Sequence, residues 1–183
     1  MSEALLLSLD NQRIDLPGRT KKSIHVSLSL SKGQVCLVRG SNGAGKSTFL
    51  KWLYNSEYFD HKSLAYLPQG ADEDFILPCQ LIEAAGFISA NPADISDSLL
   101  PASLWTRPWN KASLGERQRA LLAGVFNKSS SVYLMDEPTS ALDLGAELKF
   151  WDLVKEHVNQ GASFIIVYHG NSTELPKHKE VLL

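Results

Sequence analysis

Eight consecutive residues, Gly40-Ser41-Asn42-Gly43-Ala44-Gly45-Lys46-Ser47, fit the spacing G-x-x-x-x-G-K-[ST]. Glycines let a backbone curl tightly enough to aim several N–H groups at phosphate oxygens. A helix opening near Lys46 adds the positive end of its dipole. Lys46 supplies a point charge for β- and γ-phosphates, and Ser47, followed by Thr48, supplies a hydroxyl for Mg2+. The bland alternative is a glycine turn beside a solvated lysine. The flanking pattern argues against it, because an apolar run precedes the loop and a helical pattern follows. A second constellation is Asp136-Glu137, delivered by the apolar run Val132-Tyr133-Leu134-Met135. An acid at a buried strand end beside a phosphate loop suits the Mg2+ shell, which makes Asp136 the metal residue. Glu137, one residue on, suits a general base for an attacking water. Alone, the pair could be two surface acids opening a Pro138 turn; beside the phosphate loop that reading loses its weight.

These residues need a scaffold. Gln34-Val35-Cys36-Leu37-Val38, Ser63-Leu64-Ala65-Tyr66-Leu67, Ser131-Val132-Tyr133-Leu134-Met135 and Phe164-Ile165-Ile166-Val167-Tyr168 read as buried strands. Ser27-Leu28-Ser29-Leu30 alternates like a half-buried strand and turns at Lys32-Gly33. Helical patterns run from Lys46 to Leu53, from Ser113 to about Phe126, and over residues 143–160, where Gly161 suits the C′ position. Strands alternating with helices, and strands that are apolar throughout, predict a mainly parallel sheet covered on both faces. Residues 71–111 carry Pro78, Pro92, Pro101 and Pro108 between short helical patterns and read as a helical insertion. Ser113 and Glu116 form an S-x-x-E capping box, which by itself predicts only a well-started helix.

The chain has 183 residues, enough for one domain with a substantial core. A net charge of −2 gives no bulk argument for nucleic acid or an anionic membrane. Two cysteines, Cys36 and Cys79, make neither a disulfide framework nor a metal cluster, and fit a reducing compartment. No apolar run approaches the ~20 residues that cross a bilayer. Met1-Ser2-Glu3-Ala4-Leu5-Leu6-Leu7 lacks the basic lead-in of a signal peptide.

Together these residues resemble one family, the ABC ATPases. Ala112-Ser113-Leu114-Gly115-Glu116-Arg117-Gln118-Arg119 resembles the signature L-S-G-G-Q-x-Q-R. Met135-Asp136-Glu137-Pro138-Thr139-Ser140-Ala141-Leu142-Asp143 resembles the Walker B and D-loop run. Tyr66-Leu67-Pro68-Gln69 resembles the Q-loop, and His169 the switch histidine. The resemblance spans residues 34–169, in family order. It implies an α/β fold: a P-loop NTPase core, a reduced antiparallel β-subdomain and a small helical subdomain inserted at about 71–126, within a single domain over 1–183. It implies an Mg2+-dependent ATPase that powers an ABC transporter through a separate transmembrane permease subunit. It implies a homodimer, or a pair with a related ATPase subunit, without nucleic acid, peripheral on the cytoplasmic face of the membrane. By the same resemblance, Gly40 to Thr48 would bind ATP, and Glu137, Gln69 and His169 would act in catalysis. Ser47, Gln69 and Asp136 would serve Mg2+. Ser113, Leu114, Gly115 and Glu116 would meet the γ-phosphate held by a second subunit, and Asp143 would link the two nucleotide sites.

The sequence also departs from the family. Leu114 stands where the signature has glycine, and Glu116 where it has glutamine. A leucine limits close approach of backbone to phosphate, and a carboxylate there needs holding away. Gln69 follows Lys46 by only 69 − 46 = 23 positions, so a hairpin usual in the family has no room. No aromatic stands near Leu16-Pro17-Gly18 to stack on adenine, and His25 is the substitute. Phe75-Ile76-Leu77 is an apolar candidate for permease contact, or equally for core packing. The small size and the Gly40-Ser41-Asn42-Gly43 wording resemble compact transporter ATPases, including haem-exporter subunits. Two other classes compete. A soluble, non-transport ABC ATPase would usually carry paired cassettes, a coiled coil or a basic arm. A GTPase or small-molecule kinase is the other: Asn127-Lys128-Ser129-Ser130 superficially resembles the guanine-reading N-K-x-D, but Ser130 lacks the needed carboxylate and these residues read as a helix-ending turn, while the signature-like helix and His169 argue against a kinase.

Overall fold

The computed structural model describes residues 4–16, 22–70, 79–88 and 99–183. Five strands form a parallel sheet in the order β4-β5-β6-β3-β7: β3 (Val35–Arg39), β4 (Leu64–Leu67), β5 (Val132–Asp136), β6 (Ser163–Val167) and β7 (His178–Leu182). The central strands are apolar throughout because each feeds two cores. Val35 and Leu37, Tyr133 and Met135, and Phe164 and Ile166 point to one face, where α2 (Leu81–Ile88), α3 (Leu114–Asn127) and α4 (Leu144–Asn159) cover them. Cys36 and Val38, Val132 and Leu134, and Ile165 and Val167 point to the other, under α1 (Lys46–Tyr54) and a two-stranded sheet. Side chains alternating across a sheet that is covered on both faces produce this split. Phe49, Leu50 and Leu53 of α1 are fully buried, each contributing roughly 1.5–3 kcal/mol by removal from water. Cys36 lies in this core, and desolvation pushes its thiol up to about 12.

The second sheet pairs β1 (Leu5–Leu16) with β2 (Lys22–Ser31), antiparallel. It is the reduced β-subdomain expected above, although β1 itself was not legible as a strand. Leu7 and Leu9 face the core, but so does Ile14, out of phase with them. An irregularity between Leu9 and Gln12, with Asn11 at φ 48° and its N–H donating to Ser27 Oγ at 2.9 Å, inserts the residue that shifts the phase. β7 was also missed. It is an edge strand, half polar and largely exposed, with Val181 packed on the core, recruited by pairing alongside β3.

The expected helices hold to within a residue or two. Asp143 caps α4 by accepting from Ala146 N at 2.8 Å, and Gly161 follows the helix at φ 95°. α3 ends at Asn127 with the extended Lys128 as its C-cap, so the run Asn127-Lys128-Ser129-Ser130 ends the helix as expected. Between α1 and β4 lies a single 3-10 turn, His61–Ser63, where the hairpin had no room. Of the expected helical insertion, residues 79–88 and 99–126 are described; Leu81, Ala84 and Ala85 of α2 are buried with the α3 core. Phe75-Ile76-Leu77 lie outside the described residues.

Candidate functional site: a phosphate cradle at the strand ends

All the parallel strands release their chains at one edge of the sheet, the position where open α/β sheets bind ligands. There β3 passes through Gly40, Gly43 and Gly45, at φ 146°, 79° and 101°, into α1. Gly45 is required twice over. Its φ is left-handed, and a Cβ would lie 2.8 Å from Leu16 Cδ2. It caps α1 with no side-chain hydrogen bond, so the amides of the first turn are left for a ligand. Lys46 is 6% exposed and folds back over the loop, its Nζ donating to the carbonyls of Gly40 (3.0 Å) and Ser41 (2.8 Å). A cavity of about 400 Å3 opens here, lined by Leu16, Asn42, Gly43, Gly45, Lys46, Ser47, Thr48, Gln69 and Glu137.

β5 brings the two carboxylates. Asp136 is 2% exposed, and neither of its oxygens completes a hydrogen bond of good geometry. Burial pushes its carboxyl up; the Ser47 hydroxyl, Lys46 and the Gln69 backbone are near enough to pull the other way. A buried carboxylate with no partner costs several kcal/mol unless a cation or proton compensates. The donor set, a carboxylate facing a serine hydroxyl beside a phosphate cradle, fits Mg2+.

Glu137, the next residue, has a left-handed backbone, at φ 50°. A non-glycine residue held there costs about 1–3 kcal/mol, and such strain gathers at functional sites. Its N–H donates to the Val167 carbonyl (3.2 Å), and its own carbonyl accepts from Ser140 N and Oγ. The side chain then lies between two neighbours: Gln69 Nε2 donates to Oε2 at 3.2 Å, and His169 Nε2 lies 3.2 Å from Oε1. Gln69 follows β4, Glu137 follows β5 and His169 follows β6, so three adjacent strand ends supply the triad. The left-handed turn had no signal in the sequence.

The signature-like residues stand apart from this cavity. Ser113 caps α3, accepting from Glu116 N (3.2 Å), while Glu116 Oε2 accepts from Ser113 N (2.9 Å), completing the expected box. Arg107 pairs with the other Glu116 oxygen and holds its carboxyl below the usual range. The start of α3 rests on the turn after Glu137: Gln118 Nε2 donates to the Pro138 carbonyl (2.9 Å), and Gly115 faces the Ala141 carbonyl. Leu114 is 57% exposed. His25 does not replace the missing aromatic. It lies on the exposed face of β2, while its neighbour Ile24 turns inward beside Gly45. The apolar wall of the cavity is Leu16.

The sequence pattern of the ABC transporter family matches residues 24–140. The chain belongs to the ABC transporter family. An uncharacterized ABC transporter ATP-binding protein of Haemophilus influenzae is 28% identical over 200 residues, covering 92% of this chain and 76% of that protein. The zinc import ATP-binding protein ZnuC of Yersinia pestis is 30% identical over 173 residues, covering 86% and 67%. Among solved structures, a Pyrococcus furiosus protein assigned as an ABC transporter ATP-binding protein superposes with a TM-score of 0.73 at 17% identity, covering 96% of both chains. An archaeal ribosome recycling factor superposes at 0.70 and 21% identity, and there the chain covers only 40% of the other. These two likenesses carry the fold alone. As an ABC cassette, the chain is the ATP-binding and ATP-hydrolysing subunit of a transporter and works with a membrane permease component. Among the described residues, no helix is long and apolar enough to cross a membrane.

Proposed function

We propose that ATP is hydrolysed at the strand-end cavity with Glu137 as general base. The observation that supports this most is Glu137's strained backbone, which sets its carboxylate between Gln69 and His169. Glu137 would take the proton as water forms its bond to the γ-phosphorus and the bond to the ADP oxygen breaks. Gln69 and His169 would orient that water and the γ-phosphate. Residues 40–48 would wrap the phosphates, and Lys46 would exchange its loop carbonyls for phosphate oxygens. Ser47, Asp136 and Gln69 would hold Mg2+, which would neutralise phosphate charge. Glu137→Gln is expected to lower kcat by at least about 100-fold while ATP binding persists. Turnover within about twofold of wild type would overturn the assignment.

The helical residues within 71–126 form, in this reading, a subdomain of one domain. Two cassettes would pair head to tail about a two-fold axis, as homodimer or with a related subunit. Ser113, Leu114, Gly115 and Glu116 would then approach the partner's γ-phosphate, with Asp143 between the sites. Leu114, exposed at the start of α3, supports an interface there. The permease would dock beside Gln69, where a groove of about 600 Å3 runs between Trp52, Tyr66 and Pro68. In that arrangement the subunit would lie peripherally on the cytoplasmic face of the membrane, and it would work without nucleic acid. The names of the zinc-import relatives support import of a metal ion, rather than haem export, as the transported class.

A further inference from the structure

Arg39 ends β3 and immediately precedes Gly40, the first residue of the phosphate loop. Its side chain is only 20% exposed, so its guanidinium needs partners. Its Nη1 donates to the carbonyls of Tyr168 (3.1 Å) and Gly170 (2.7 Å), and its Nε donates to Glu180 Oε1 (3.1 Å) on β7. The two carbonyls flank His169 on either side. The guanidinium also lies 5.1 Å from the centre of the Tyr168 ring. Residues 168–172 fold back around that ring. Its hydroxyl accepts from Ser172 N at 3.1 Å, and Gly170 packs so closely on the hydroxyl that a Cβ there would clash with it. The same hydroxyl donates to Glu147 Oε1 (2.7 Å), in the first turn of α4. Trp151 Nε1 donates to that oxygen as well, at 3.3 Å. His169 is therefore the apex of a loop gripped from the base of the phosphate loop and from the start of α4.

We propose that Arg39 is a positioning residue for hydrolysis, locking His169 in register with the phosphate loop. It touches no reacting atom and acts through His169, so the inference rests on the catalytic reading above. A guanidinium is suited to this position because its planar fork serves two carbonyls and a carboxylate at once, which an ammonium cannot match. A displacement of about 1 Å at a reacting group can cost up to ~100-fold in rate.

The test compares Arg39→Leu, Arg39→Lys and Tyr168→Phe, each alone and with His169→Ala. Arg39→Leu is expected to lower kcat by roughly 10- to 100-fold, with KM for ATP within about twofold and partial rescue by Arg39→Lys. In the His169→Ala background the same substitution should add nothing. A loss that persists undiminished there, or one confined to KM, overturns the proposal. A readout without turnover is the imidazole NMR signal of His169 in the full chain. It should shift or broaden in Arg39→Leu while those of His25 and His61 stay in place; an unmoved His169 signal also overturns the clamp. If His169→Ala keeps wild-type kcat, the catalytic reading of His169 fails, and the NMR signal still decides whether Arg39 holds it. Should Arg39→Leu not fold, Tyr168→Phe carries the same comparison, because it keeps the ring and removes only the hydroxyl bonds to Glu147 and Ser172.

Discussion

Two helices of this protein begin at places where phosphate is expected, and they begin in opposite ways. α1 starts at a left-handed glycine with no side-chain cap and no acid in its first turn. α3 starts with a complete capping box that spends Ser113 and Glu116 on its own amides, and it carries a carboxylate neutralised by Arg107. An uncapped helix start has free donors and an uncompensated dipole, which an anion can satisfy. A capped one has part of that capacity already taken by its own side chains. The difference teaches that the cradle is built to hold phosphate within one chain. α3 has its start held by its own side chains and can offer what its cap leaves over, the first-turn amides of Leu114 and Gly115 and the Ser113 hydroxyl proton, beside the Arg107 fork.

The comparison breaks most readily at α1. Lys46→Ala removes the buried cation that now binds the loop carbonyls. Loss of one or two charge-assisted hydrogen bonds at about 1.5–3 kcal/mol each is expected to weaken ATP binding by ~100-fold or more, read by calorimetric titration. Binding within about threefold of wild type would mean that the open amides suffice alone. At α3 the expected first effect is on stability. Ser113→Ala should cost ~1 kcal/mol, seen as a fall of roughly 2–4 °C in Tm for a chain of this size, with ATP affinity of the isolated subunit unchanged. A fall in that affinity instead would show that α3 serves the nucleotide of its own chain. The smallest effect concerns Glu116. Arg107 lowers its carboxyl in the folded state, so its contribution is present above the ordinary carboxylate range. It is lost as pH falls through the lowered folded value. Glu116→Gln should therefore flatten the acid limb of a stability–pH curve and leave the neutral region level. An unchanged acid limb would show that the pair with Arg107 contributes nothing measurable.

Legibility followed the range over which each feature is encoded. The phosphate loop, the acid pair and the α3 capping box lie within eight residues or fewer, and each stands where its spacing predicted. β3, β5 and β6 were legible because burial on both faces writes an unbroken apolar run. β1 was not, since the irregularity at Asn11 moves Ile14 out of phase with Leu7 and Leu9. β7 was not, since an edge strand needs no apolar pattern and is defined by its neighbour β3. His25 was the wrong substitute for an adenine platform: the pleat sends it outward and Ile24 inward.

The sequence by itself determined that a glycine-rich loop, an acid pair at a buried strand end and two capped or glycine-led helices would form on a parallel sheet, because short-range spacing and side-chain chemistry suffice for these. Tertiary structure alone decided that Gln69 and His169, 100 residues apart in the chain (169 − 69 = 100), meet on either side of Glu137. It also decided that Glu137 bends into a left-handed turn, and that Arg39 grips the loop carrying His169. Those arrangements depend on the order β4-β5-β6-β3, which sets strand ends side by side. Strand order comes from the packing of the whole core, which no local stretch of sequence encodes.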